Sequence, residues 1–216
     1  MLQCGNTCLN MARKTKAEAE TTRMELLDAA ERLFLAQGVS RTSLQDIAAA
    51  AGVTRGAVYW HFKDKSDLFN AMVDRIVLPL EEADTRFDVD DGTPVLPLLR
   101  ERTLEVFAQI ATQPSMQRVL EIVLHKVEAV GELAGVHERR LQTLEGYRQR
   151  VERALARAQL RGEVISTLPA RQLARGWHAL VDGLIQAWSL DPQGFRLLVD
   201  GPPILDFYLA GMAARR

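Results

Sequence analysis

Twelve residues, Thr54 to Lys65 (TRGAVYWHFKDK), place a hydroxyl, a guanidinium, a glycine, a phenol, an indole, an imidazole and an amine within a few turns of one another. Such a set suits an anionic, base-bearing polymer. Thr54 can accept from the first amides of a helix, whose remaining free N–H groups then face a phosphate. Arg55 can reach base edges or phosphate in a major groove, and Gly56 with Ala57 leaves the front of the helix thin enough for backbone to approach the bases. Tyr59 and His61 carry polar tips suited to phosphate, with Lys65 following. Phe62 is expected in the core, and Trp60 suits either a nucleic-acid contact or partial packing on the first helix. Upstream, Ser43-Leu44-Gln45-Asp46 forms a capping box. Ile47, Ala48, Ala51, Val53 and Val58 are the small or apolar positions that pack two short helices steeply across a turn at Gly52, which is helix-turn-helix geometry.

A second group lies in the last third. His178 and Asp182 are four residues apart on a helical stretch that also carries Trp177, Val181, Ile185 and Trp188. Polar groups on an otherwise apolar helix suit a pocket that orients a hydrophobic ligand, and equally a satisfied His–Asp pair in a core or a dimer seam. The facing wall would come from Leu99, Thr103, Val106 and Phe107, from Leu120 and Leu124, and from Leu144, Tyr147 and Val151. Glu121, His125 and Glu128 share a helical face at metal-ligand spacing. They lack a second histidine or a Glu-x-x-His partner helix, so a hydrogen-bond network is expected there and no metal is assigned. Cys4 and Cys8 form a lone C-x-x-x-C pair, read as a reducible tail. Phosphate-loop, G-x-S-x-G and H-E-x-x-H patterns are missing, which leaves an enzyme reading without residues and calls for no cofactor.

The elements that must hold these groups are helices. Apolar residues recur at three and four spacing from end to end with no sustained alternation, so the chain is expected to be all-α. A capping box at Thr15-Lys16-Ala17-Glu18 predicts a first helix to about Gln37, ended by Gly38. Short helices follow from Ser43 to Gly52 and from Thr54. Asp64 and Asp67 open a fourth that Pro79 is expected to kink or break. The acidic, turn-rich FDVDDGTPVLP (87–97) reads as a loop, followed by helices at about 95–111, from about Ser115, at 137–161, from Pro169 to Asp191, and a last one from about Gly194 or Pro203 to Ala213, its start left open because Gly201-Pro202-Pro203 falls inside it. This divides the chain into a flexible extension (1–12), a three-helix helix-turn-helix head (13–78) and a larger helical ligand-binding and dimerisation domain (79–216).

Bulk properties limit the partners. The net charge is −1 with 47% hydrophobic residues, which opposes non-specific coating of nucleic acid but permits a local basic face. Between Arg41 and Lys65 the cations Arg41, Arg55, Lys63 and Lys65 face Asp46 and Asp64. No stretch is apolar enough for a membrane span and the start MLQCGNTCLN does not read as a signal peptide, so a cytoplasmic protein is expected. Because Met11 opens a more helix-like run, residues 1–10 are readable as an upstream choice of start codon.

The segment from Thr42 to Lys65, followed by Leu68, strongly resembles the TetR family of transcriptional regulators, and the run MARKTK from Met11 to Lys16 looks like its AcrR-type efflux-pump repressors. RVLEIVLHKVE (118–128) and VDGLI (181–185) followed by Trp188 extend the similarity more thinly. The resemblance implies a homodimer with a DNA-binding head and a C-terminal domain that binds a small hydrophobic inducer, hence a repressor released from double-stranded, palindromic operator DNA. By position it implies DNA contacts at Thr42, Ser43, Thr54, Arg55, Gly56, Tyr59, Trp60, His61 and Lys65. The extension before Met11 and Pro79 depart from the family pattern. The competing expectations are a helical metal-binding protein or enzyme centred on His125 or His178, and a regulator that answers to another protein.

Overall fold

A computed structural model describes the backbone of residues 5–127, 134–165 and 167–213, with side chains throughout these ranges except at 5–15, 79–84, 134, 135 and 137. Among the described residues the chain is helical, with one isolated antiparallel bridge between Val164 and Ala213 and no strand. Helices α1 (Gly5–Gln37), α2 (Leu44–Ala50) and α3 (Arg55–His61) build the head. They are followed by α4 (Lys65–Ala83), a short 3-10 helix (Asp84–Asp88), α5 (Val95–Thr112), α6 (Pro114–His125), α7 (Ala134–Leu160), α8 (Ala170–Leu190) and α9 (Leu197–Met212).

Local chemistry starts and stops the head helices. The Ser43 hydroxyl accepts from Asp46 N at 3.1 Å, and Asp46 Oδ2 accepts in return from Ser43 N at 2.9 Å, closing the expected capping box. Gly52 sits at φ +69°, a left-handed angle that a side chain would strain, and it turns α2 into α3. Thr54 Oγ1 accepts from Ala57 N at 3.2 Å, and Asp64 Oδ1 accepts from Asp67 N at 2.8 Å where α4 begins.

Three boundaries differ from the sequence reading. Helix α1 begins at Gly5, so the box at Thr15 lies within a helix. A capping residue ends a helix only where the preceding chain leaves helical angles, and no proline precedes Thr15 to enforce that. Residues 1–4, with Cys4, and the Cys8 side chain lie outside the described residues. Helix α4 continues through Pro79 to Ala83, since one missing amide donor does not terminate a helix packed against α1, α6 and α7. Helix α9 runs through Pro202 and Pro203: their missing N–H groups orphan carbonyls on Leu198 and Val199, both exposed to water.

Two apolar cores result. In the head, Leu26, Ala30, Phe34, Ile47, Val58, Phe62, Leu68 and Phe69 are buried together, and Val119 and Ile122 of α6 complete the cluster. The second core packs α5, α7, α8 and α9 around Trp177, Phe107, Leu99, Val151 and Leu205. Ile76 of α4 touches both, so this helix is a shared wall.

Polar bonds over long sequence separations fasten the parts. Glu31 of α1, 3% exposed, receives Arg75 Nη2 of α4 at 2.7 Å and Arg118 Nε of α6 at 2.5 Å, while Arg75 Nη1 also meets Asp28 at 2.6 Å. Val39 N donates to Lys126 O at 3.1 Å. Glu163 caps α5 from outside it, accepting from Val95 N at 3.0 Å and Leu96 N at 2.8 Å. Replacing Glu31 by alanine strips both arginines of their shared carboxylate. The expected loss is about 2 to 3 kcal/mol, below that of a fully buried broken pair because the guanidiniums keep access to water, and a urea titration of Glu31→Ala measures it.

Candidate functional site

On α3 the side chains divide as helical phase requires. Val58 is buried in the head core, whereas Arg55, Gly56, Tyr59 and Trp60 stand outward, the indole 72% exposed. Trp60 therefore does not pack into the head core, and Phe62 does. The Arg55 guanidinium lies 5.5 Å from the centre of the Tyr59 ring, one turn further on, which orders both outward tips. His61 is half-buried between Trp60 and Phe62. Burial first, then the Arg23 charge, hold its imidazole below the usual histidine range, with Glu20 opposing. An alanine methyl at Gly56 would meet only Thr54 Oγ1, at 3.8 Å, so packing does not require the glycine.

A cleft of about 510 Å³ opens beside this surface, lined by residues 40–45 together with Arg55, Tyr59, Lys63, Asp64 and Lys65. Its cations Arg41, Arg55, Lys63 and Lys65 outnumber Asp64, and the Asp46 carboxylate is turned to Ser43, whose hydroxyl and amide hold it below the ordinary carboxylate range. Two expected contact residues have internal duties. Thr42 is 1% exposed; its hydroxyl donates to Gly38 O at 2.8 Å and accepts from Gln37 Nε2 at 3.1 Å, so it braces the turn after α1 instead of pointing outward. Lys65 Nζ donates to Thr42 O at 3.2 Å and Ser40 O at 3.5 Å, tying the start of α4 to the entry of α2. Ser43 is exposed at the rim, but its hydroxyl is engaged in the capping box.

The second site is a cavity of about 470 Å³ between α5, α7 and α8, closed on one side by Val77 of α4. Of the expected wall, Thr103, Val106, Leu144, Tyr147, His178, Val181, Asp182 and Ile185 line it. Leu99, Phe107 and Val151 do not: they are fully buried in the second core, because α5 and α7 turn those faces to neighbouring helices, and Phe107 fills the space over Gly201 of α9. Leu120 and Leu124 are also away from the lining, since α6 packs on the head and α5. The sequence reading missed Arg102, Thr143, Arg140 and Arg148, which also line the cavity. Arginines on charged helical stretches read as solvated surface, and no local pattern marks them otherwise.

His178 lies 6.0 Å from Tyr147, ring centre to ring centre, and Asp182 Oδ2 accepts from Gln186 Nε2 at 2.7 Å. Burial holds the His178 imidazole below its usual range, reinforced by Arg148 and Arg140 and opposed by Asp182. The Glu121, His125, Glu128 face is not assembled among the described residues, since Glu128 lies outside them. Glu121 approaches Lys126 at 3.9 Å and His125 Nε2 meets Ser189 Oγ at 3.0 Å, linking the end of α6 to α8. No group of three potential metal ligands occurs among the described residues, and no helix there is long and apolar enough to cross a membrane.

Residues 26–72 match the family described as bacterial regulatory proteins of the tetR family, and residues 94–213 match the C-terminal region of MAATS-type transcriptional repressors. The transcriptional regulator AcrR of Shigella flexneri is 42% identical over 188 residues, covering 87% of each chain. Among solved structures, NalD, the secondary repressor of the MexAB-OprM multidrug efflux pump in Pseudomonas aeruginosa, superposes with a TM-score of 0.85 at 37% identity over 92% of this chain and 100% of its own. A complex of SmeT with triclosan gives 0.82 at 34% identity over 90% and 92%.

The lowered His178 basicity has a measurable sign. The folded state disfavours the imidazolium, so the stability tied to neutral His178 is complete above the unfolded pKa of about 6.5 and is lost progressively as pH falls from there through the lowered folded value. Urea midpoints at pH 7.5 and pH 5.5 are expected to differ more in the wild type than in His178→Gln.

Proposed function

The chain belongs to the TetR family of bacterial regulatory proteins, and we propose that it is a cytoplasmic, homodimeric repressor of a multidrug efflux operon, released from a palindromic operator by a small ligand. It is a transcriptional regulator and not an enzyme. The observation that carries the DNA-binding role is the outward face of α3: a capped helix start, Arg55 ordered over Tyr59, an unpacked Gly56, and a cation-lined cleft alongside. Thr54, Arg55, Gly56, Tyr59, Trp60 and His61 would meet the duplex directly, with Ser43 at the rim. Thr42 and Lys65 would act mainly by holding the turn that presents them.

A dimer would set two copies of α3 in successive major grooves about 34 to 36 Å apart. An exposed apolar surface on α8 and α9 supports it. Leu190 at the end of α8 and Leu198, Val199 and Phe207 of α9 stand in solvent, Phe207 at 85% exposure. A second copy of this chain is the occupant that family membership favours.

The cavity is the inducer site in this reading. Helix α4 links it to the head: Val77 lines the cavity and Arg75, two residues earlier, holds Glu31 of α1. A ligand that displaces Val77 would therefore shift the helix on which the head is mounted, and coupling is reciprocal, so operator DNA weakens ligand binding by the factor that ligand weakens operator binding. Equal ligand affinity with and without operator would sink this mechanism.

Two measurements check the assignments. In gel-shift titrations against an operator series, Arg55→Ala is expected to relax discrimination at particular base pairs, while Gly56→Ala lowers affinity for all of them yet raises stability by up to about 1 kcal/mol through helix propensity. Phe207→Glu is expected to yield a folded monomer by analytical ultracentrifugation, with operator affinity reduced at least about tenfold because one half-site contact is lost from each complex.

A further inference from the structure

Most of the cavity wall between α5, α7 and α8 is apolar, but its charges are unequal in sign. Arg102, Arg140 and Arg148 line it against a single carboxylate, Asp182. Arg102 is bonded to Glu105 of its own helix, and Asp182 receives the Gln186 amide. That leaves Arg140 and Arg148, both on α7, as the main source of charge. Arg148 Nε is buried and has no hydrogen-bond partner among the described residues. A guanidinium N–H withdrawn from water without an acceptor is unfavourable, and an anionic acceptor entering the cavity would relieve it. Burial first, then Arg148, lower the His178 basicity, with Arg140 adding and Asp182 opposing. A cationic guest would find one carboxylate, already engaged, and one aromatic ring, Tyr147, whose neighbour is His178. A neutral guest would bring no charge to set against Arg148, whereas Arg140 is exposed to solvent.

We propose that the ligand taken by this cavity is an amphipathic organic acid, its apolar body against Val106, Leu144, Val181 and Ile185 and its carboxylate on Arg148 with Arg140 beside it. This rests on the reading of the cavity as the inducer site and adds the chemical class it selects. The Arg148 guanidinium can itself offer two parallel N–H donors to a planar carboxylate, the geometry in which guanidinium discriminates most strongly from an uncharged hydroxyl.

The test uses the full-length protein and three probes that share one ring system: 2-naphthylacetate, 2-(2-naphthyl)ethanol and 2-(2-naphthyl)ethylammonium, titrated calorimetrically. The acid is expected to bind about tenfold or more tightly than the alcohol, and the ammonium most weakly, as a charge-assisted bond is roughly twice as strong as a neutral one. Arg148→Met is expected to bring the acid to the alcohol's affinity while changing the alcohol by less than about twofold, and Arg148→Lys to restore part of the difference. Filling the cavity with Val181→Trp, in protein whose melting temperature is unchanged, is expected to abolish binding of all three. Equal affinity for acid and alcohol, preference for the ammonium, or indifference of the acid to Arg148→Met overturns the ligand class and leaves the cavity reading intact. Binding that survives Val181→Trp, or no saturable binding of any probe, overturns the cavity as the ligand site.

Discussion

A buried carboxylate organises this molecule. Glu31 lies in the apolar core of the head, where an ionised side chain is costly unless cations meet it, and the two that do come from α4 and α6. Charge compensation thus makes the head dependent on the rest of the chain. Val119 and Ile122, which close the head core from α6, do the same through apolar contact, and Val39 N on Lys126 O does so through the backbone. The head is mounted by three physically different bonds on one side, so its orientation follows α4 and α6 and cannot drift independently of them.

The polar residues around the helix-turn-helix separate into those that make the shape and those that present it. Ser43 with Asp46, Thr42 with Gln37 and Gly38, and Lys65 with the carbonyls of residues 40 and 42 satisfy local donors and acceptors. What remains outward is Arg55, Tyr59, Trp60 and the bare backbone at Gly56. Division of labour of this kind costs little: the internal bonds rigidify the turn, and the outward set is left with few competing partners before DNA arrives.

The C-terminal domain follows the same logic with the sign of burial reversed. Its core is closed by Trp177, Phe107 and Leu205, while the cavity retains half-buried polar groups whose charges are unequal. Placing Val77 of α4 on the cavity wall and Arg75 on Glu31 puts both domains' key contacts within one turn of a single helix. The cavity wall and the head thereby share a single helical element.

What the sequence determined by itself were the features set by neighbours along the chain. Capping by Ser43 and Thr54, the turn at Gly52, the outward face of α3 and the all-helical class depend on contacts three or four residues apart, and these were legible as residue type and spacing. The cavity was half legible: the stripe through His178, Val181, Asp182 and Ile185 announced itself, but Leu99, Phe107 and Val151 share the same periodicity and turn out to be core. Helical phase tells which residues lie on one face, and only the packing of neighbouring helices decides whether that face meets a cavity or another side chain. Tertiary structure alone decided the rest. Glu31 and Arg118 are 87 residues apart, and Glu163 caps a helix 68 residues before it. Arg148 reads as surface charge in the sequence until the packing of α7 is seen to bury its Nε beside the cavity. Such contacts connect elements whose order in the chain carries no record of their distance in space.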